Sequence, residues 1–344
     1  MFNKIQIERF RGIRYASIEG FKQINLFFGK NNCGKSSLLE SLFLASGLSN
    51  PLLPINVNFI RDYGKSNFND LILNFHNLDS SQPITIQLID GEVRNLNITL
   101  FKENQENITL NTDSANIISN VEEGKYGLKL DFQINDTPFS SQLEFDSKDT
   151  KKVNRIVPDN YTESLQCVYL SPKFDFNASI QGLKKIQENK DEHFIIDGLK
   201  LIEPRVKDFI FTDNDVLVDI GLNKRIPVNM MGDGARKIVS LLTAVYDCKN
   251  GMLLIDEISN GFHHSVMCDL WKVLINAAIK NNTQLFVTTH DIDSIKGLRD
   301  ATLNIHNDKI ATFSLVKTLK DELKAFHYSL ESLNYALEQN SEIR

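Results

Sequence analysis

The sequence predicts an α/β fold, with a mostly parallel central sheet and a β-rich subdomain inserted into it. Three observations carry that prediction. The stretch "LFFGKNNCGKSSLLESLF", from Leu26, runs from an apolar segment through a glycine-bracketed turn into a helical pattern. Two later runs, "GMLLIDE" and "TQLFVTTHD", are continuously apolar and end in polar residues, with an amphipathic segment between them. Strands buried on both faces read this way, and a strand–helix–strand order built from them makes a parallel sheet. Residues 55 to 165 have a different texture. There, short alternating segments are separated by turn residues, as in a β-rich insertion.

The chain reads in four parts: 1–50, 55–165, 166–225 and 226–344. In the first, "KIQIERF" alternates, with Ile5, Ile7 and Phe10 on one side, and "INLFF" is a short buried strand. "SSLLESLFLASGL" is a helix closed by Gly47, after which Pro51 and Pro54 break the chain. The insertion supplies "ITIQLID", "LNITLF", "NITLN", "LKLDFQI" and "SQLEFD". "CVYLS" returns to the core, followed by a mixed, partly helical arm and a hairpin of "VLVDIG" and "RIPVNM". In the last part, "GARKIVSLLTAVYDC" spaces Ile238, Leu241, Leu242 and Val245 along one helix face. Near the end, Leu319, Leu323, Phe326, Leu330, Leu333 and Leu337 fit heptad spacing. The stronger reading is a strand "KAFHY" and a shorter helix, "LESLNYALEQ", capped by Ser329.

The 344 residues, 42% hydrophobic and 24% charged, have ordinary globular composition. No run is long enough to span a membrane, and the N-terminus has no apolar signal core, so a cytoplasmic protein with no membrane partner is expected. A net charge of −6 argues against broad attraction to nucleic acid, though not against a local basic groove. Cys33, Cys167, Cys248 and Cys268 lack C-x-x-C spacing, which points to reduced thiols without zinc.

The chemistry concentrates in four motifs. Gly29, Lys30, Asn31, Asn32, Cys33, Gly34, Lys35 and Ser36, followed by Ser37, make G-x-x-x-x-G-K-S between a strand and a helix. Such a loop turns backbone amides inward to cradle phosphates. Its lysine reaches the β- and γ-phosphates and its serine hydroxyl holds Mg²⁺. The strand "GMLLI" ends in Asp256, expected to hold the metal through water, and Glu257, expected to orient or deprotonate the attacking water. "FVTTHD" ends a second buried strand at His290, on the same sheet edge if the strands are parallel, where it could contact the γ-phosphate. "NMMGDGARK" places Gly232, Asp233 and Gly234 at a helix start, where amides and the positive helix end meet an anion. "NKDE" at 189–192 resembles the guanine motif N-K-x-D. Glu192 replaces the aspartate and no apolar strand precedes it, so ATP rather than GTP is expected.

In this order the motifs resemble ATP-binding-cassette-type ATPases of the RecF/SMC branch. "IDEISNGFHHS", "FVTTHD" and "ESLNYALEQNSEIR" are similar to the OLD-like group of AAA ATPases. The resemblance covers residues 1 to 50 and 225 to 344. It implies that "MGDG" completes the ATP site of a partner subunit, that "SNGFHH" lies at the dimer interface, and that Arg11 in "RFRGI" lies near the nucleotide. Two positions depart from the pattern. Met231 or Gly232 stands where the signature serine is usual, and Ser259 replaces a carboxylate common after the catalytic glutamate. No glutamine loop is identifiable, and Ser171 is only a positional candidate.

OLD nucleases carry a Toprim domain after the ATPase. The sequence reaches Arg344 without one, so any cutting is expected from a separate polypeptide. The expected function is that of an Mg-dependent ATPase with ATP and Mg²⁺ as cofactors. The resemblance further implies a homodimer or higher homo-oligomer formed head-to-tail on ATP, acting as a sensor or scaffold that gates a separate nuclease or toxin effector, and it alone implies a role in antiphage defence. Two alternatives stand beside it. One is a RecF-like DNA-binding repair ATPase using Lys184, Lys185, Lys190, Lys200, Arg205 and Lys207; the other is a pseudo-ATPase that keeps nucleotide as structural glue.

Overall fold

The computed structural model describes residues 1–63, 68–104, 124–146, 153–173, 176–212, 215–302 and 307–338. The segment "NITLN", expected as a strand, lies outside them. The chain divides into two compact units. One comprises Met1–Lys4, Ile18–Leu39 and Ser164–Arg344; the other comprises Ile5–Ser17 and Glu40–Glu163.

The first unit is organised by a sheet whose strands run in the order Glu322–Tyr328, Ile310–Lys317, Ile24–Phe28, Gln284–Thr289, Met252–Ile255, Cys167–Leu170. Every pairing in it is parallel except the first. The strands Ile24–Phe28, Met252–Ile255 and Gln284–Thr289 are buried at every residue, which is why their sequences are apolar without alternation. Register sets Phe28 beside Thr289, and Ile255 beside Val287. The polar residues that follow these three strands therefore emerge together at one sheet edge.

The helix Asp233–Asp247 buries Ile238, Leu241, Leu242 and Val245, the face its spacing specifies. Helix Met267–Lys280 contributes the fully buried Trp271, whose indole N–H donates to the Ser294 carbonyl at 2.9 Å. Strands Val216–Asp219 and Ile226–Pro227 pair antiparallel, joined by Asp208–Phe211. At the C-terminal end the strand and shorter helix form, as favoured over the heptad helix. Glu322–Tyr328 is a strand antiparallel to Ile310–Lys317, and only Leu330–Glu338 is helical. Ser329 ends the strand and starts the helix, its Oγ accepting from the Ser332 amide at 3.0 Å.

The second unit is antiparallel. Strands Val153–Ile156, Thr137–Asp146, Gly124–Ile134, Glu92–Asn104 and Ile84–Asp90 each pair antiparallel with the next. Ile84–Asp90 alternates buried and half-buried residues, a sheet with one face on a core. Ahead of these strands lie helices Leu53–Ile60 and Phe68–Ile72. Pro54 was read as a break, but it stands in the first turn of a helix, where its missing N–H costs nothing.

Candidate functional site

The phosphate-loop pattern folds as its glycines require. Gly29 is buried at φ 157°, and an added Cβ would stand 2.6 Å from the Leu315 carbonyl oxygen, so backbone must pass where a side chain cannot. Asn32 and Gly34 also take positive φ, 62° and 107°, and the loop closes with the Cys33 amide donating to the Lys30 carbonyl at 3.3 Å. Lys30, Asn31 and Asn32 are exposed and Ser36 is half-buried at the start of helix Lys35–Ser46, while Cys33 and Ser37 are buried. Burial pushes the Cys33 thiol pKa up, against the pull of the Lys35 ammonium.

Lys35, Glu257 and His290 come together. The Lys35 ammonium is buried and donates to the carbonyls of Gly29 (3.0 Å) and Lys30 (3.3 Å), and it lies 3.6 Å from Glu257 Oε1. Glu257 Oε2 faces the other way, 2.7 Å from His290 Nδ1, and accepts the His290 amide at 3.2 Å. Asp256, 5% exposed, accepts the Thr288 hydroxyl at 2.6 Å on one oxygen and the Tyr169 hydroxyl at 3.2 Å on the other. Thr288 also binds the next residue, its Oγ1 accepting the Glu257 amide at 2.9 Å. Thr288 and Tyr169 were not singled out in the sequence, and a threonine inside "FVTTHD" gives no signal of this double duty.

The stretch Gly232–Gly234 does not join that cluster. Gly232 takes φ 89° and caps the helix Asp233–Asp247, and an added Cβ on Gly234 would meet the Gly261 carbonyl at 3.3 Å. Beside it is a cavity of about 280 Å³, lined by Pro172, Asp233, Arg236, Lys237, Asn260 and Gly261. Arg236 rests over the Phe176 ring at 5.3 Å, and its Nε has no hydrogen-bond partner among the described residues. Ser259 Oγ lies 3.4 Å from Thr289 Oγ1, and Ser171 Oγ donates to the Lys173 carbonyl at 2.8 Å. Arg11 belongs to the second unit. There its guanidinium donates to the Val57 carbonyl (3.0 Å) and Asn58 Oδ1 (2.9 Å), and it pairs with the buried Glu40 carboxylate at 3.1 Å.

Residues 24–295 match the family described as "AAA domain, putative AbiEii toxin, Type IV TA system". The chain belongs to this AAA family. It is a P-loop ATPase of the AAA/ABC type. A Helicobacter pylori protein named "ATP/GTP phosphatase" is 25% identical over 331 residues, 86% of this chain and 87% of its own. Among solved structures, an SmcHead bound to the C-winged helix domain of ScpA has a TM-score of 0.50 at 13% identity, covering 97% of this chain and 99% of its own. An Smc head domain with an extended coiled coil, bound to the C-terminal domain of ScpA derived from Pyrococcus furiosus, also gives 0.50, at 11% identity, covering 98% and 99%. At such identities these two likenesses concern the fold of this AAA-family ATPase. Among the described residues, no helix is long and apolar enough to cross a membrane.

Proposed function

We propose that this ATPase hydrolyses Mg-ATP at the sheet edge where Lys35, Glu257 and His290 meet. The observation that carries the reading is the single carboxylate of Glu257, held between a buried ammonium at 3.6 Å and an imidazole at 2.7 Å. The residues present suit a triphosphate and its metal. Gly29 leaves no room for a side chain, Lys35 is kept extended across the loop, and Ser36 and Asp256 offer oxygen donors of the kind magnesium takes. When bound, magnesium supplies charge neutralisation at the phosphoryl oxygens.

The chain's own residues do the rest. Lys35 exchanges its contacts with the Gly29 and Lys30 carbonyls for phosphate oxygens, leaving Glu257 without its ammonium neighbour. Glu257 orients a water and accepts its proton, and His290 fixes the carboxylate through Oε2.

The finer reading continues from the same motifs. Two copies close head-to-tail over nucleotide, each presenting Gly232, Asp233 and Gly234 to the site of the other, and hydrolysis reopens them. The chain is of the OLD-like group and gates a separate nuclease or toxin effector in antiphage defence. The family's words "AbiEii toxin" and "Type IV TA system" support a setting in a toxin system, and the SmcHead bound to a domain of ScpA supports a head that carries a partner polypeptide. For the DNA-repair reading, Lys185 pairs with Asp247 (3.2 Å), Lys200 with Asp197 (3.9 Å) and Arg205 with Glu203 (2.8 Å) on the surface; ATPase stimulation by DNA is the measurement that decides it.

Glu257→Gln tests the reading. It keeps the shape and removes the base, so kcat is expected to fall by about 10²- to 10⁴-fold while ATP binding persists and dimers accumulate. Phosphate release at the wild-type rate would take Glu257 out of its role.

A further inference from the structure

The residue after Gly234, Ala235 and Arg236 is Lys237, and the reading of the motifs gave it no part. It lies in the second turn of helix Asp233–Asp247, and only 8% of it is exposed. Its ammonium turns away from solvent toward the turn that follows Glu257, donating to the carbonyls of Glu257 (3.4 Å), Ile258 (3.3 Å) and Asn260. Phe262 covers it at 5.3 Å from ring centroid to nitrogen.

That turn has an unusual conformation at its first residue. Glu257 takes φ 55°, a left-handed backbone that a side-chain-bearing residue adopts only when its surroundings hold it there. Both of its flanking polar groups are held. The Glu257 amide donates to Thr288 Oγ1 at 2.9 Å, and the Glu257 carbonyl accepts from Lys237. The Ile258 amide adds a bond to the Thr288 carbonyl at 3.1 Å. Thr288 belongs to the histidine strand, while Lys237 belongs to the glycine-motif helix. The backbone that aims the Glu257 carboxylate at Lys35 and His290 is therefore clamped from two elements.

We infer that Lys237 is a positioning residue for hydrolysis, holding the Glu257–Asn260 backbone so that the Glu257 carboxylate keeps its aim, and tying the Gly232–Gly234 helix start to that carboxylate within one chain. The inference rests on the reading of Glu257 as the hydrolytic base. It adds a route by which anything docking at Gly232–Gly234 is felt at Glu257. The chain runs from that helix start to Lys237, four residues on from Asp233, then to the Glu257 carbonyl and the side chain beyond it.

The test uses the full chain with Mg-ATP under steady-state conditions. Lys237→Met keeps length and apolar packing but removes the donors, and its kcat is expected to fall at least about tenfold with KM within about twofold of wild type. Lys237→Arg restores charge and donors, so its kcat should lie nearer wild type than that of the methionine variant.

Wild-type kcat in Lys237→Met, or a raised KM with kcat unchanged, would overturn the inference, the latter by making Lys237 a nucleotide ligand. Should Lys237→Met fail to fold, the wild-type protein still decides. Burial lowers the Lys237 pKa to about 8, with the Glu257 carboxylate facing it opposing the shift; Asp233 and Arg236 line the same cavity. Loss of that proton should lower kcat above pH about 8 at constant KM. A kcat that stays flat through the pH at which Lys237 is seen to lose its proton overturns the inference. If wild-type protein shows no turnover at all, it is the reading of the site as hydrolytic that fails, a separate result.

Discussion

The two units of the molecule bury charge in different ways. In the antiparallel unit, Glu40 is 0% exposed and closed on by Arg61, which donates to both its oxygens at 2.6 and 3.0 Å, and by Arg11 at 3.1 Å. Arg94, 4% exposed, pairs with Glu163 and donates to the Ala45 and Ser46 carbonyls at 3.2 and 3.3 Å. These groups are bonded at short range on several sides. In the parallel unit, Lys35 is as deeply buried, yet its carboxylate partner lies 3.6 Å away and its donors rest on loop carbonyls. The difference separates scaffold from site. On the proposed reading, a phosphate would replace the carbonyl contacts of Lys35, whereas the Glu40 and Arg94 pairs stay closed.

Substitutions can break that comparison. Lys35→Ala should produce the largest change, a loss of at least about 10³-fold in kcat/KM, because Lys35 is the loop's one buried ammonium and the one beside Glu257. Its thermal midpoint should hardly move, and a variant that unfolds instead would make Lys35 scaffold after all. Arg94→Met makes the complementary case. Leaving Glu163 without its buried partner should cost about 3 kcal/mol in denaturant unfolding, while turnover per folded molecule is retained. Loss of kcat with stability intact would erase the distinction between the units.

The smallest effect sharpens the comparison by its sign. The Lys237 pKa lies near 8, below the ordinary lysine value of 10.5, so between those values the unfolded chain binds a proton that the folded chain does not. The contribution of this group to stability therefore rises with pH across that window, while activity falls above about pH 8. Unfolding curves at pH 8 and about 9.5, in wild type and in Lys237→Met, should differ in slope in that direction. An equal slope in both would show that Lys237 titrates as a solvated lysine.

Much of the site was legible because its logic is local. The glycine spacing around Lys35, the acids at the end of "GMLLI" and the histidine at the end of "QLFVTT" each follow from a strand meeting a loop. The C-terminal strand and short helix were legible beside a competing heptad spacing, and the pairing of Glu322–Tyr328 with Ile310–Lys317 is what excludes one long helix. Other features were not legible. Pro54 reads as a break in the sequence, since a proline in a helix's first turn and one in a loop look alike there. Lys237 shows in the sequence only as one of several polar residues of its helix, because its partners are backbone carbonyls, which every residue possesses and no sequence distinguishes.

The sequence by itself determined the α/β class, the phosphate-type loop and the presence of carboxylates and a histidine at strand ends, because hydrophobic period and glycine placement act over a few residues. Only the tertiary structure decided that Lys35, Glu257 and His290 share one cluster and that Glu257 stands in a left-handed backbone held by Thr288 and Lys237. Those outcomes depend on strand order and register, which come from long-range pairing and leave no local trace.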